Sequence, residues 1–166
     1  MKWISNIDNV QDKTKETFIK KYGVPYYTQT EEYHRKSRRF YQYENEMFDS
    51  SWELALWIYA NDHNEKIVRC PCSLEYYSNN KRHKYFPDFL YKNNLVEVKG
   101  DCYLNNQQIL VEFNSDTISD LTKAKTECMN KNNVQIYSFE QMKPILEYIY
   151  KKYGRSYLKS FQIRKK

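Results

Sequence analysis

Two acids and a lysine on neighbouring short segments offer the clearest chemistry in this chain. Phe86-Pro87-Asp88-Phe89-Leu90 is followed, after Tyr91-Lys92-Asn93-Asn94, by Leu95-Val96-Glu97-Val98-Lys99-Gly100. Both segments have strand composition, and side chains alternate faces along a strand. Phe86, Asp88 and Leu90 therefore share one face, and Leu95, Glu97 and Lys99 share one face of the next strand. A two-residue turn at Asn93-Asn94 sets Asp88 opposite Lys99 and Leu90 opposite Glu97, so that Asp88 and Glu97 become diagonal neighbours roughly 5 to 8 Å apart. Carboxylates at that separation suit a hard divalent cation: Mg2+, with Mn2+ as a substitute, held by Asp88, Glu97 and the backbone carbonyl of Val98 as a third candidate ligand. The metal would acidify a water, and Lys99 would position that water or offset negative charge at a scissile phosphate. The chemistry is phosphodiester hydrolysis.

The elements that must position these groups begin upstream. Residues 48–58 predict a helix that is apolar on all sides, with Asp49 or Ser50 as N-cap and Glu53 as the only charge between Asp49 and Asp62. A buried carboxylate is costly unless it is paired, protonated or bound to metal. A salt bridge would satisfy Glu53. With two further acids downstream, however, an active-site role is favoured, holding a water on the first metal or recruiting a second. Alternation predicts strands over 67–77, 83–91 and 95–99, with a turn at Ser78-Asn79-Asn80. Residues 109–113 are ambiguous, 115–131 read as a helix bearing Lys123 and Lys125, 134–139 as a fourth strand, and 141–153 as a final helix closed by Gly154. This order predicts an α/β fold, a mixed β-sheet flanked by helices.

Ahead of that core, 11–22 predict a short helix stopped by Gly23-Val24-Pro25. Thr28-Gln29-Thr30-Glu31 has capping-box spacing and opens a second helix over 31–43. The resulting division is a basic helical N-terminal arm (1–46), a core (47–154) and a basic C-terminal tail (155–166). Arg35, Lys36, Arg38 and Arg39 are candidate DNA contacts, as are Lys123 and Lys125, the alternative for each being a solvated helix surface. The 166 residues suffice for one domain plus a small extension, and the net charge of +6 favours an anionic partner, nucleic acid above all. Coding bias can also enrich Lys, Asn and Tyr, so clusters carry this argument rather than totals. No apolar run reaches the roughly 18 residues of a membrane span, and 1–6 lack a secretory core, so a soluble protein of the cytoplasm is expected. In that reducing setting Cys70, Cys72, Cys102 and Cys128 read as buried free thiols; Cys70-Pro71-Cys72 lacks both the usual metal spacing and a second pair. His63 should end the Glu53 helix, and His83 should serve packing or surface rather than catalysis.

Glu53, Pro87-Asp88 and Glu97-Val98-Lys99 resemble the PD-(D/E)XK nuclease superfamily, over about 48–150. The resemblance implies a restriction-endonuclease-like core and Mg-dependent cleavage of DNA to 5′-phosphate and 3′-hydroxyl ends. It implies Asp88 and Glu97 as metal ligands, Lys99 as catalytic lysine and Glu53 as the helix-borne acid. Within the superfamily, Tyr85 to Leu90 and Val96 to Gly100 are most similar to phage endonuclease I type resolvases and to transposon endonuclease subunits. The segment ahead of Glu53 has no counterpart in the compact resolving enzymes; 20–24 with 29–32 are similar to a short repeat of phage endonuclease-like proteins. A phage or mobile-element enzyme acting on DNA, able to form a homodimer, is the expectation. The alternatives are a Holliday-junction resolvase, an RNA-cleaving enzyme and a catalytically silent DNA-binding module.

Overall fold

A computed structural model describes residues 13, 16, 17, 19–21 and 23, then 39–107, 109–113 and 116–164. The elements are β1 (Arg39–Tyr43), β2 (Glu46–Phe48), α1 (Ser51–Asp62), β3 (Ile67–Arg69), β4 (Leu74–Ser78), β5 (Lys81–Tyr85), β6 (Phe89–Tyr91), β7 (Asn94–Val98), a 3-10 turn (Asp101–Tyr103), α2 (Asp120–Lys131), β8 (Gln135–Tyr137), α3 (Phe139–Tyr153), α4 (Tyr157–Ser160) and β9 (Gln162–Arg164). The central sheet runs β3-β6-β7-β8. Its first two pairings are antiparallel and the last, β7 with β8, is parallel. Thus the expected mixed sheet flanked by helices is present, joined by a β4-β5 hairpin and a three-stranded β2-β1-β9 sheet. Among the described residues no helix is long and apolar enough to cross a membrane.

The packing follows from the patterning. Phe89, Tyr91, Val96 and Val98 bury one sheet face against α1, whose Leu54, Ala55, Leu56, Ile58 and Ala60 are all buried, and against Met142, Ile145, Leu146 and Ile149 of α3. Fully burying a side chain of this size contributes about 1.5–3 kcal/mol. A second cluster, Tyr85, Leu104, Leu110 and Met129, joins the hairpin and the following loop to α2. The helix starts are capped by side chains: Ser50 Oγ accepts the Glu53 N–H at 3.2 Å, and Ser119 Oγ accepts the Thr122 N–H at 3.2 Å. That second cap explains why α2 begins at Asp120. Gly154, with φ +93°, ends α3 where expected.

Several sequence expectations need correction. The turn between β6 and β7 is Lys92-Asn93, both with positive φ (48° and 64°), while Asn94 is already in β7. Pairing is therefore Phe89 with Val96 and Leu90 with Leu95, not Leu90 with Glu97. The strand expected over 67–77 is broken between β3 and β4, and that over 83–91 at Phe86-Pro87-Asp88, where proline supplies no ladder donor. The helix expected over 31–43 is a strand from Arg39 onward. Its alternating aromatics, Tyr41 and Tyr43, pack on the core, Tyr43 edge-on to Phe161 at 5.0 Å, and Arg39–Tyr41 pair with β9 in the tail. Tertiary pairing here overrides the upstream helix signal, and 31–38 lie outside the described residues. In the first expected helix, the described positions between 13 and 21 are helical, and Gly23, at φ +74°, donates its N–H to the Ile19 carbonyl at 2.9 Å. The four cysteines are free, but only Cys128 is buried.

A polar clamp fixes α1 to α3. Asp62 Oδ1 and Oδ2 accept from the Tyr153 hydroxyl at 2.8 and 2.9 Å, Oδ2 accepts from Tyr148 at 3.2 Å, and Lys152 Nζ lies 3.0 Å from Oδ1. Burial alone would raise the Asp62 pKa, but the bonds from Tyr153, Lys152 and Tyr148 outweigh it and hold the carboxyl below its ordinary range. A depressed folded-state pKa contributes stability above the unfolded value, and that contribution is lost as pH falls through the folded value. Asp62→Ala should therefore cost about 1–3 kcal/mol near neutrality. In urea denaturation the gap from wild type should narrow steadily below pH 4 as Asp62 is protonated, down to what the tyrosine hydroxyls still contribute to the neutral acid.

Candidate active site

The corrected register, continued one residue past Phe89–Val96, brings Asp88 level with Glu97. The ladder is drawn tight at this point. Cys70 N–H donates to the Asp88 carbonyl at 3.3 Å, Lys99 N–H donates to the Tyr137 carbonyl at 3.0 Å, and Val98 N–H donates to Asp88 Oδ2 at 2.7 Å. The Asp88 side chain is thus pinned across the strand pair it belongs to. Glu97, only 3% exposed, has both oxygens engaged. Oε2 accepts from the Tyr85 hydroxyl at 2.7 Å, and Oε1 lies 3.0 Å from Lys99 Nζ and 3.2 Å from Lys125 Nζ. Lys125 Nζ also stands 4.4 Å from the centre of the Tyr85 ring.

Glu53 arrives from the first turn of α1. Ser50 Oγ donates to Glu53 Oε1 at 2.9 Å while accepting the Glu53 N–H, and the Asp49 N–H donates to Oε2 at 3.3 Å, so the residue folds back on its own cap. Arg69, at the end of β3, adds an ion pair to Oε2 at 3.4 Å. Its guanidinium lies over the rings of Phe48 and Phe89 at 4.4 and 5.0 Å. Buried Glu53 thus has the partner that its position demanded.

These placements set the electrostatics. Burial, then the charges of Glu97 and Glu53, push the Asp88 carboxyl up to about 8 against the Val98 N–H and Lys99. Burial likewise raises Glu53, opposed by Ser50, Asp49 and Arg69. Burial works against the Lys99 charge, but Glu97 and Asp88 outweigh it and the pKa is raised, so Lys99 is an ammonium at neutral pH. Asp88 then keeps a proton near neutrality unless another positive charge replaces it.

Glu53, Asp88, Val98 and Lys99 line one cleft of about 790 Å³, together with Arg39, Asp49, Ser50, Ser51, Trp52, Gly100, Tyr103 and Phe113. A second opening of about 360 Å³, bordered by Met47, Arg69, Cys70, Phe86 and Pro87, reaches Asp49, Glu53 and Asp88 from the other side. The donors facing these openings are oxygens, and the proton held on Asp88 marks a place where a hard cation would be favoured. The residues fit such an ion by donor type and charge. Among the described residues, however, no three His, Cys, Asp or Glu side chains are gathered to hold one, and both Glu97 oxygens are engaged by Tyr85, Lys99 and Lys125.

The structure therefore brings together Glu53, Asp88, Glu97, Val98 and Lys99. Arg39 joins them at the cleft from β1. Lys125 enters the cluster through Glu97 and is half-buried, while Lys123 is exposed on α2. Arg35, Lys36 and Arg38 lie outside the described residues. His63 caps α1 with Nδ1 2.7 Å from the Tyr59 carbonyl, and His83 stacks on Tyr76 at 5.2 Å, away from the cleft. Tyr85, Arg69, Tyr103 and Phe113 were not anticipated; nothing local in the sequence pairs them with the acids.

A raised folded-state pKa means that stability falls as pH climbs from the ordinary aspartate value, 3.8, towards about 8, and levels off above it. Asn at 88 can still accept the Val98 N–H but cannot ionise. In chelator-treated protein, Asp88→Asn should gain stability relative to wild type between pH 5 and pH 8, read from denaturation midpoints; a gap independent of pH would contradict the assigned burial. No family model, curated protein or solved structure matches the chain, which leaves the geometry of this cleft as the ground for a functional assignment.

Proposed function

We propose that the chain is a Mg-dependent DNA endonuclease that hydrolyses phosphodiester bonds to leave 5′-phosphate and 3′-hydroxyl ends. The observation that carries this reading is Asp88: a carboxyl pinned level with Glu97, neighboured by Glu53, pushed to a pKa of about 8, and opening onto a cleft beside the Lys99 ammonium. When bound, the cation would lower the pKa of a water and polarise a phosphoryl oxygen. Asp88, Glu53 and the Val98 carbonyl are the groups that would hold it, and Glu97 would join them. Lys99 would balance the charge that develops on the phosphoryl group and keep the attacking water in place. Arg39, exposed at the same cleft, offers a fixed cation to a flanking phosphate.

The net charge of +6 and the basic run His34 to Arg39 support a nucleic-acid partner. The resemblance of the motif residues to the PD-(D/E)XK superfamily supports DNA as the substrate and a phage or mobile element as the source. The ion pairs that engage Glu97 favour one second reading, a silent DNA-binding module in which the acids serve structure alone.

Cleavage separates the two. With Mg2+ or Mn2+, wild type should cut DNA among supercoiled plasmid, linear duplex, single strand and a four-way junction, with matched RNA as control. Asp88→Asn and Lys99→Ala should each lose about a hundredfold or more, and chelation should abolish the activity. Preference for the junction would mark a resolvase. Full activity in Asp88→Asn would overturn the assignment, and tight binding without cleavage would favour the silent module.

A further inference from the structure

The cleft wall beside Lys99 carries aromatic surface that the hydrolytic machinery does not use. Phe113 is 60% exposed and Tyr103 40% exposed, yet they lie in contact, ring centres 5.3 Å apart and planes inclined by 51°, and both border the cleft that holds Asp88. Trp52 borders it too. Exposed rings on a loop are unremarkable when the loop is loose, but the described residues around these two are tied down. Val111 N–H donates to the Tyr103 carbonyl at 2.9 Å, and Leu104 bridges Leu110. Glu112, next to Phe113, accepts from Ser119 Oγ at 2.6 Å and Thr122 Oγ1 at 2.7 Å at the capped start of α2. Ordering two large apolar side chains in solvent beside a charged centre gains nothing for the fold; it pre-organises a surface for something flat.

We propose that Tyr103 and Phe113 form a stacking platform for an unpaired nucleobase, so that single-stranded or locally unpaired DNA is the preferred substrate. This rests on the nuclease reading and specifies its substrate. In continuous duplex each base face is covered by its neighbours, and only an unstacked base presents a free π-face. Lys99 Nζ stands 5.5 Å from the centre of the Tyr103 ring, so a base seated on the platform brings its own backbone to the ammonium and the adjoining acids. Arg39 at the same cleft complements the charge of that backbone, which a bare apolar partner would not require.

The test separates binding from turnover. In the Asp88→Asn background, a single-stranded oligodeoxynucleotide containing 2-aminopurine should bind more tightly than its duplex and change in fluorescence on binding. Phe113→Leu and Tyr103→Ala should each weaken single-strand binding about tenfold or more, leave duplex binding unchanged, and Phe113→Trp should restore it. In wild type with Mg2+, gapped or single-stranded DNA should be cut faster than continuous duplex. Stacking without cleavage of any substrate would remove the nuclease reading and leave the platform. Equal cleavage of duplex and single strand, with Phe113→Leu silent in binding, would remove the platform and leave the nuclease. Equal weakening of both DNA forms, or a change of oligomeric state in sedimentation, would overturn the proposal in favour of a general docking or dimer surface.

Discussion

The arrangement of this protein turns on how positive charge is shared among three neighbouring carboxylates. Glu53 and Glu97 are buried, Asp88 is half-buried within reach of both charges, and the available cations are unevenly shared among them. Arg69 serves Glu53, while Lys99 and Lys125 both serve Glu97, which leaves Asp88 with a backbone N–H as its nearest donor. Like charges at such proximity raise one another's pKa, and the least compensated group gives up its ionisation first. Asp88 is that group. Taking away one cation would leave a buried carboxylate short of compensation, so each glutamate depends on its partners.

That cluster also organises the fold, because its members come from separate elements. Glu53 is delivered by the capped start of α1, Arg69 by the end of β3, Tyr85 by the hairpin, Lys125 by α2, and Asp88, Glu97 and Lys99 by the adjoining β6-β7 region. The hydrophobic core beneath the sheet positions α1 and α3. The smaller Tyr85-Leu104-Leu110-Met129 cluster positions the hairpin and α2, and thereby Lys125. The two apolar clusters meet at the carboxylates. Precision at the cleft therefore depends on both clusters being packed, more than on the loops that surround it.

What could be read from the sequence was local. Strand alternation places Asp88, Glu97 and Lys99 near one another, and a lone acid in an apolar helix marks Glu53, since both signals lie within a few residues. The register was misplaced because Lys92-Asn93 and Asn93-Asn94 are both plausible two-residue turns. Burial of Val96 and Val98 and the parallel pairing with β8 select the former, and those are non-local facts. The partners that decide the charge balance lie farther away: Arg69 is 16 residues from Glu53 and Lys125 is 28 residues from Glu97. The β1 strand is only half legible for the same reason: its hairpin partner β2 is local, but its other partner, β9, lies near the opposite end of the chain.

The sharing of Lys99 ties binding to chemistry under the proposed function. In the described state its ammonium is spent on Glu97 while Asp88 holds a proton, a closed arrangement in which the acids satisfy the protein itself. Asp88 and Glu97 would hold a divalent cation only as carboxylates, and Lys99, which borders the cleft, would then be released from Glu97. Its ammonium would be free to meet a phosphate. Lys125, reaching the same Glu97 oxygen from α2, would keep its hold on the carboxylate. A single lysine beside Glu97 could either stabilise the empty cluster or meet the substrate. With two, one can leave without stranding a buried charge.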